Sequence, residues 1–161
     1  MIDDQVKGVL LAVIILLGLM ASAQYYYSHT TSEPFPELGL LGPNEKIADY
    51  PTSVVTGQNF TLYLYVGNHE GHVEYYNVLV KLGTNESVIS NSTGMNAPVY
   101  RIYRMILDNN QTYLKPITLS LPSPGVDVRV VFELWQYNVT TSTFDYTGVA
   151  NWIYVNVTSV A

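Results

Sequence analysis

Residues 59–66 read Asn59-Phe60-Thr61-Leu62-Tyr63-Leu64-Tyr65-Val66, a strict alternation of apolar with polar or amphipathic side chains. A period of two puts Phe60, Leu62, Leu64 and Val66 on one face of a β-strand, and Asn59, Thr61, Tyr63 and Tyr65 on the other. The same pattern recurs downstream. Tyr76, Val78, Val80 and Leu82 make one inner face, and Ile117, Leu119 and Leu121 make another within 113–121. Residues 126–134 turn Val126, Val128, Val130, Phe132 and Leu134 inward and leave Asp127, Arg129 and Glu133 on the opposite side. Residues 152–158 send Ile153, Val155 and Val157 inward and Trp152, Tyr154 and Asn156 outward. Residues 38–41 read as a first strand stopped by Gly42-Pro43-Asn44, and 48–56 as an irregular edge ending at Gly57. Residues 99–107 fit a strand less cleanly and also fit a short helix. About seven short strands, separated by turn signals, predict an all-β fold: an immunoglobulin-like antiparallel β-sandwich.

Ahead of this body stands a run of another kind, GVLLAVIILLGLMASA over residues 8–23, with no charge and no proline. Sixteen helical residues rise about 24 Å, short of a hydrocarbon core of about 30 Å. Continuing through Gln24 and Tyr25-Tyr26-Tyr27 closes the gap and sets tyrosines at the lipid–water boundary. Residues 1–27 are therefore expected to be a cytoplasmic tail and a transmembrane helix that meets lipid over 8–27. Pro34 and Pro36 mark 28–37 as a linker, leaving 38–161 for the sandwich. Two kinds of processing compete with an uncleaved anchor. Ala21-Ser22-Ala23 is a small-residue pattern that signal peptidase would cut, although Asp3 and Asp4 make the region before the run non-basic. Lys7-Gly8 before Val9-Leu10 looks like the cleavage site of a pilin-type leader, whose apolar run is kept as a filament core.

The net charge is −6, and the seven basic residues, Lys7, Lys46, Lys81, Arg101, Arg104, Lys115 and Arg129, are scattered singly, so nucleic acid is not an expected partner. Charged residues are 12% of the chain, about half the usual share, so solubility must come from elsewhere. N-x-S/T sequons at Asn59, Asn85, Asn91, Asn110, Asn138 and Asn156 supply a source, since all six follow the apolar run. They imply N-linked glycans and an orientation with the amino-terminal tail inside and the body outside. The chain has no cysteine, so the fold rests on its hydrophobic core alone, a composition that suits an archaeal surface.

Leu40-Leu41-Gly42-Pro43-Asn44, then Lys46, Ala48, Tyr50-Pro51-Thr52 and Gly57, and then Val66-Gly67-Asn68-His69-Glu70, form a recognisable pattern. It resembles an uncharacterised archaeal family of membrane-anchored proteins with immunoglobulin-like ectodomains, a domain of unknown function. Phe132-Glu133-Leu134 and the closing 152–157 are similar to the end of that family. The resemblance implies location and fold and brings no catalytic residue with it.

Little in the chain points to a reaction. His69-Glu70-Gly71-His72 is the one cluster of metal-binding types, with His29 as the only further imidazole. Its glycine-bounded setting reads as a solvated turn, because zinc needs three or four ligands held by supporting contacts. Met95 and Met105 lack the paired spacing of a copper site. No Ser-His-Asp order, phosphate loop or dinucleotide motif occurs. No catalytic residue, metal ligand or cofactor site is therefore expected. The tyrosines suit strands and half-buried positions, and Tyr63, Tyr65, Trp152 and Tyr154 would mark an interface if they coalesced. The expected function is non-enzymatic: a single-pass, glycosylated protein of the cell membrane with an extracellular domain that binds other membrane or surface proteins, as an accessory subunit of a larger complex. The alternative is a pilin-like or thread-like subunit that assembles with itself into an extracellular filament.

Overall fold

The computed structural model describes residues 3–29 and 33–159. The chain divides into two units, Met1–Glu33 and Pro34–Ala161. The first is one helix, α1 (Asp4–His29). Its acidic first residue suits the positive end of the helix dipole and pairs with Lys7 at 2.9 Å, one turn on. The 24 residues Asp4–Tyr27 rise about 36 Å, and none of their side chains is buried within the chain. This is the length and composition of a membrane anchor, and also of a signal sequence. The helix runs through Tyr25, Tyr26 and Tyr27, and takes in two residues assigned above to the linker.

Among the described residues, eight strands follow: β1 (Phe35–Leu41), β2 (Ser53–Val55), β3 (Asn59–His69), β4 (Glu74–Gly83), β5 (Val99–Leu107), β6 (Thr112–Ser120), β7 (Gly125–Asn138) and β8 (Thr143–Thr158). They form two sheets, ordered β1-β3-β6 and β2-β8-β7-β4-β5. Pairing is antiparallel except between β2 and β8, which run parallel. The chain begins in the small sheet and crosses to the large one at β2. This two-sheet order is immunoglobulin-like. Leu62, Leu64 and Val66 of β3 and Leu119 of β6 share the core with Tyr76, Val78 and Val80 of β4, Val130, Phe132 and Leu134 of β7, and Val155 of β8. Each such side chain contributes about 1.5–3 kcal/mol of burial, and no disulfide supplements them.

The small sheet has two edges, and both are closed by side chains. On β1, Leu38 O accepts from Asn151 Nδ2 and Leu40 O from Tyr50 Oη, each at 2.6 Å. On β6, Thr118 O accepts from Arg101 at 3.0 Å, and Ser120 O accepts from Tyr100 Oη. Alternate residues of a strand aim their backbone groups to the same side. Pro36 and Pro116 therefore lie in phase with the capped carbonyls, and their nitrogens have no hydrogen to offer a neighbouring strand.

Asn68, at the end of β3, is fully buried and fully bonded. Its Nδ2 donates to His72 O at 2.7 Å and to Leu107 O at 2.9 Å, while Oδ1 accepts from Glu70 N at 3.0 Å and from Tyr76 Oη at 3.2 Å. One side chain thus ties the β3–β4 turn to the end of β5.

The structure differs from the sequence reading in several places. β1 begins at Phe35, because Phe35, Pro36 and Glu37 pair with His69, Asn68 and Gly67, so the sandwich reaches into the expected linker. Residues 99–107 are strand β5. Val126, expected inside, is 82% exposed, because a bulge between Gly125 and Val128, with Asp127 at φ 50°, turns it outward. β8 starts at Thr143, well before the expected 152. Asn68→Ala should lower the stability of the full chain in detergent by about 2–4 kcal/mol in urea unfolding, since it strands two carbonyls and two donors.

Candidate functional site

The outer face of the large sheet is the most elaborated surface of the sandwich. Arg129 and Glu133, read above as residues of the face opposite the core, do lie there, but both are buried. The cover is the loop over residues 84–98, which folds back across β7. Glu133 pairs with Lys81 at 2.9 Å and also accepts from Met95 N at 2.5 Å and Trp135 Nε1 at 3.0 Å. Lys81 Nζ in turn donates to Met95 O at 2.8 Å. Arg129 donates to Ser87 O at 2.7 Å, a second fixing point. The third is Gly148, where a Cβ would stand 2.5 Å from Asn91 O, so only glycine admits the loop.

Beside this covered region the face opens. Trp152 and Tyr154 are 44% and 43% exposed, and the Arg129 guanidinium lies 4.2 Å from the first ring centre and 5.8 Å from the second. Trp152 and Tyr154 are also among the residues that line a groove of about 480 Å³, with Leu38, Leu40, Ile47 and Tyr50. Ile47, 83% exposed, stands at this groove. Tyr63 and Tyr65 belong to β3 of the other sheet, so the four aromatic residues singled out in the sequence do not form one patch. The Tyr65 ring instead rests against Gly39, and its hydroxyl donates to Glu37 at 2.7 Å.

A second concavity, of about 350 Å³, lies where the β3–β4 and β7–β8 turns meet and is lined by Glu70, His72, Glu74, Tyr137, Asp145 and neighbours. His72 pairs with Glu74 at 2.9 Å, whereas His69 turns away to Glu37 at 3.4 Å and Asn110 at 3.1 Å. The two histidines of the sequence cluster are thus separated, and the side chain of His29 lies outside the described residues. Among the described residues no three His, Asp or Glu side chains are grouped to hold a metal ion. Burial raises the Glu70 carboxyl above its usual range, helped by the nearby Glu74 and opposed by His72.

The sequon asparagines are at the surface. Asn59, Asn85, Asn91, Asn110 and Asn156 are exposed, and Asn138 is half-buried. They differ in what holds them. Asn138 turns its Nδ2 into the Asp145 carboxylate at 2.8 Å and accepts from Thr140 N at 2.9 Å. Asn110 has φ 61° and faces His69. Asn156 Oδ1 accepts from Asp127 N at 2.9 Å.

Residues 29–153 match the family described as Domain of unknown function (DUF1616), and the chain belongs to that family. None of the curated proteins matches it. Among solved structures it is similar to a CARDB domain from Pyrococcus furiosus in complex with di-metal ions, at 13% identity over 80% of this chain and 91% of that one, with a TM-score of 0.48. It is also similar to part of a beta-glucosidase from Listeria innocua, at 12% identity over 79% of this chain and 16% of that one, with a TM-score of 0.45.

Lys81 and Ile47 were given no role by sequence reasoning, and Glu133 was read only as a residue of the outer face. Opposite charges on the outer faces of two paired strands, Lys81 on β4 and Glu133 on β7, are the signal that would have found the buried pair. Lys81→Met alone should cost about 3–5 kcal/mol in denaturant unfolding by leaving a buried carboxylate, and adding Glu133→Gln should recover part of that loss. Glu70 binds its proton more tightly folded than unfolded, so its contribution to stability falls as pH rises from the ordinary carboxylate range. The melting temperature of Glu70→Gln relative to the wild type should therefore be higher at pH 7 than at pH 4.

Proposed function

We propose that the protein is a non-enzymatic, N-glycosylated protein of the cell surface, held in the membrane by α1 with its sandwich outside. In this reading the sandwich binds other membrane or surface proteins, as an accessory subunit of a larger complex. The observation that carries the reading is the placement of the sequons: five of the six asparagines are exposed, on a body joined to a helix whose apolar surface finds no cover within the chain. A bilayer would supply that cover, and glycans would supply the solubility that so few charges do not.

The groove bordered by Trp152, Tyr154 and Ile47 is the surface proposed for the partner. Exposed aromatic rings beside a cation are the side-chain types that anchor protein interfaces. Three sets of ionisable groups support a non-catalytic reading, because they are held in structural pairs: Lys81 with Glu133, His72 with Glu74, and His69 with Glu37. No cofactor enters the proposal.

Mass spectrometry of the protein purified from its own membranes tests it. A chain that begins at Met1, carries sugar and travels in a larger native particle supports the reading, and Trp152→Ala should then release the folded protein from that particle. A chain beginning at Val9 overturns it in favour of a pilin-like filament, and one beginning at Gln24 in favour of a secreted protein.

A further inference from the structure

The sequon at Asn156 is set apart by its neighbours. Two residues before each sequon asparagine stand Gly57, Gly83, Ile89, Asp108, Gln136 and, at Asn156 alone, an aromatic residue, Tyr154. On a strand that spacing puts both side chains on the same face, about 6.7 Å apart. β8 is a strand here, with Trp152, Tyr154 and Asn156 all exposed.

The amide of Asn156 is also oriented. The bulge in β7 presents Asp127 N to Asn156 Oδ1 at 2.9 Å. A backbone N–H can only donate, so the atom facing β7 must be the oxygen. Nδ2, the atom to which a glycan is joined, is thereby turned away from β7, and it makes no hydrogen bond among the described residues. Glycosylation leaves Oδ1 unchanged, so the bond that sets this orientation survives it. On the aromatic side, Arg129 is buried while the rings it stacks on are half-exposed, so the cation occupies their covered side. Tyr154 keeps 43% of its surface exposed, enough to meet a sugar.

We infer that the first sugar on Asn156 packs its C–H face on Tyr154, so that the glycan lies along the outer face of β8 instead of standing free in solvent. This rests on the glycosylated reading given above. The physics is that of any aromatic contact: weakly positive C–H groups meet the negative face of a ring, and apolar surface leaves water. Because the amide is held in place beforehand, little freedom remains to be lost when the contact forms.

Glycopeptide mass spectrometry on the full-length protein from its native membranes, joined to a double-mutant cycle, tests this. Thr158→Ala removes the sequon while keeping Asn156 and its bond to Asp127, and Tyr154→Ser removes the ring. With sugar present at Asn156, Thr158→Ala should lower the melting temperature by about 3 °C against the wild-type background and by about 1 °C or less against Tyr154→Ser. Asn156→Gln should show the same coupling to Tyr154. Sugar at Asn156 with equal shifts in both backgrounds overturns the packing alone. Sugar only at other sequons overturns this inference and leaves the glycoprotein reading standing, and sugar at none overturns both.

Discussion

A two-sheet sandwich leaves backbone polar groups unpaired along its outermost strands, and a domain without disulfides or a dense coat of charge has few ways to protect them. Here the solution is a set of side chains that reach to the small sheet, three from the large sheet and one, Tyr50, from the segment before β2. Asn151 and Tyr50 cap β1, and Arg101 and Tyr100 cap β6. Each bond satisfies an edge carbonyl and also ties the small sheet to what lies beside it, so protection of the edge and attachment of the sheets are one interaction. The core between the sheets is built of apolar side chains, with Tyr76 sending its hydroxyl to Asn68.

The same economy appears where polar groups are buried. Asn68 has each of its amide positions filled by a turn or strand end, so it specifies how three segments meet. Lys81 and Glu133 lie outside the core under a loop, and their remaining hydrogen bonds go to that loop and to Trp135. A buried ion pair adds little net stability of its own. What this one supplies is position, since it selects one place for a loop whose own sequence is mostly Ser, Thr and Asn.

The parts of the fold legible in the sequence are those where one face is apolar and the strand is regular. β3 up to Val66 and β6 follow their alternation residue by residue, as does the inward set of β8 from Ile153 onward. On β4, Tyr76, Val78 and Val80 are inward as read, although Asn77 and Lys81 of the other face are buried too. Alternation fails at Val126, because an inserted residue breaks the period. It also fails over the first half of β8, where Gly148, at φ 83°, interrupts the strand pattern. Phe35-Pro36-Glu37 reads as a linker because proline breaks most strands, yet an edge strand accepts it on its open side. For the site, the outward placement of Trp152, Tyr154 and Asn156 could be read directly. The groove could not, since Leu38, Ile47 and Tyr50 join it only through the crossing of the chain from one sheet to the other. Nor could the burial of Arg129 and Glu133, because a period of two names a face without saying what lies upon it.

The loop over 84–98 bears on how the chain withstands proteases. A long polar segment between two strands is ordinarily where a chain is nicked, because a protease must draw several residues into an extended line through its cleft. This segment is held at Ser87 by Arg129, at Met95 by Lys81 and Glu133, and at Asn91 by its seat over Gly148. Cleavage would first require those fastenings to open, among them the two hydrogen bonds that join Met95 to a buried ion pair. Resistance to digestion here is a property of the sheet beneath the loop, not of the loop's own composition.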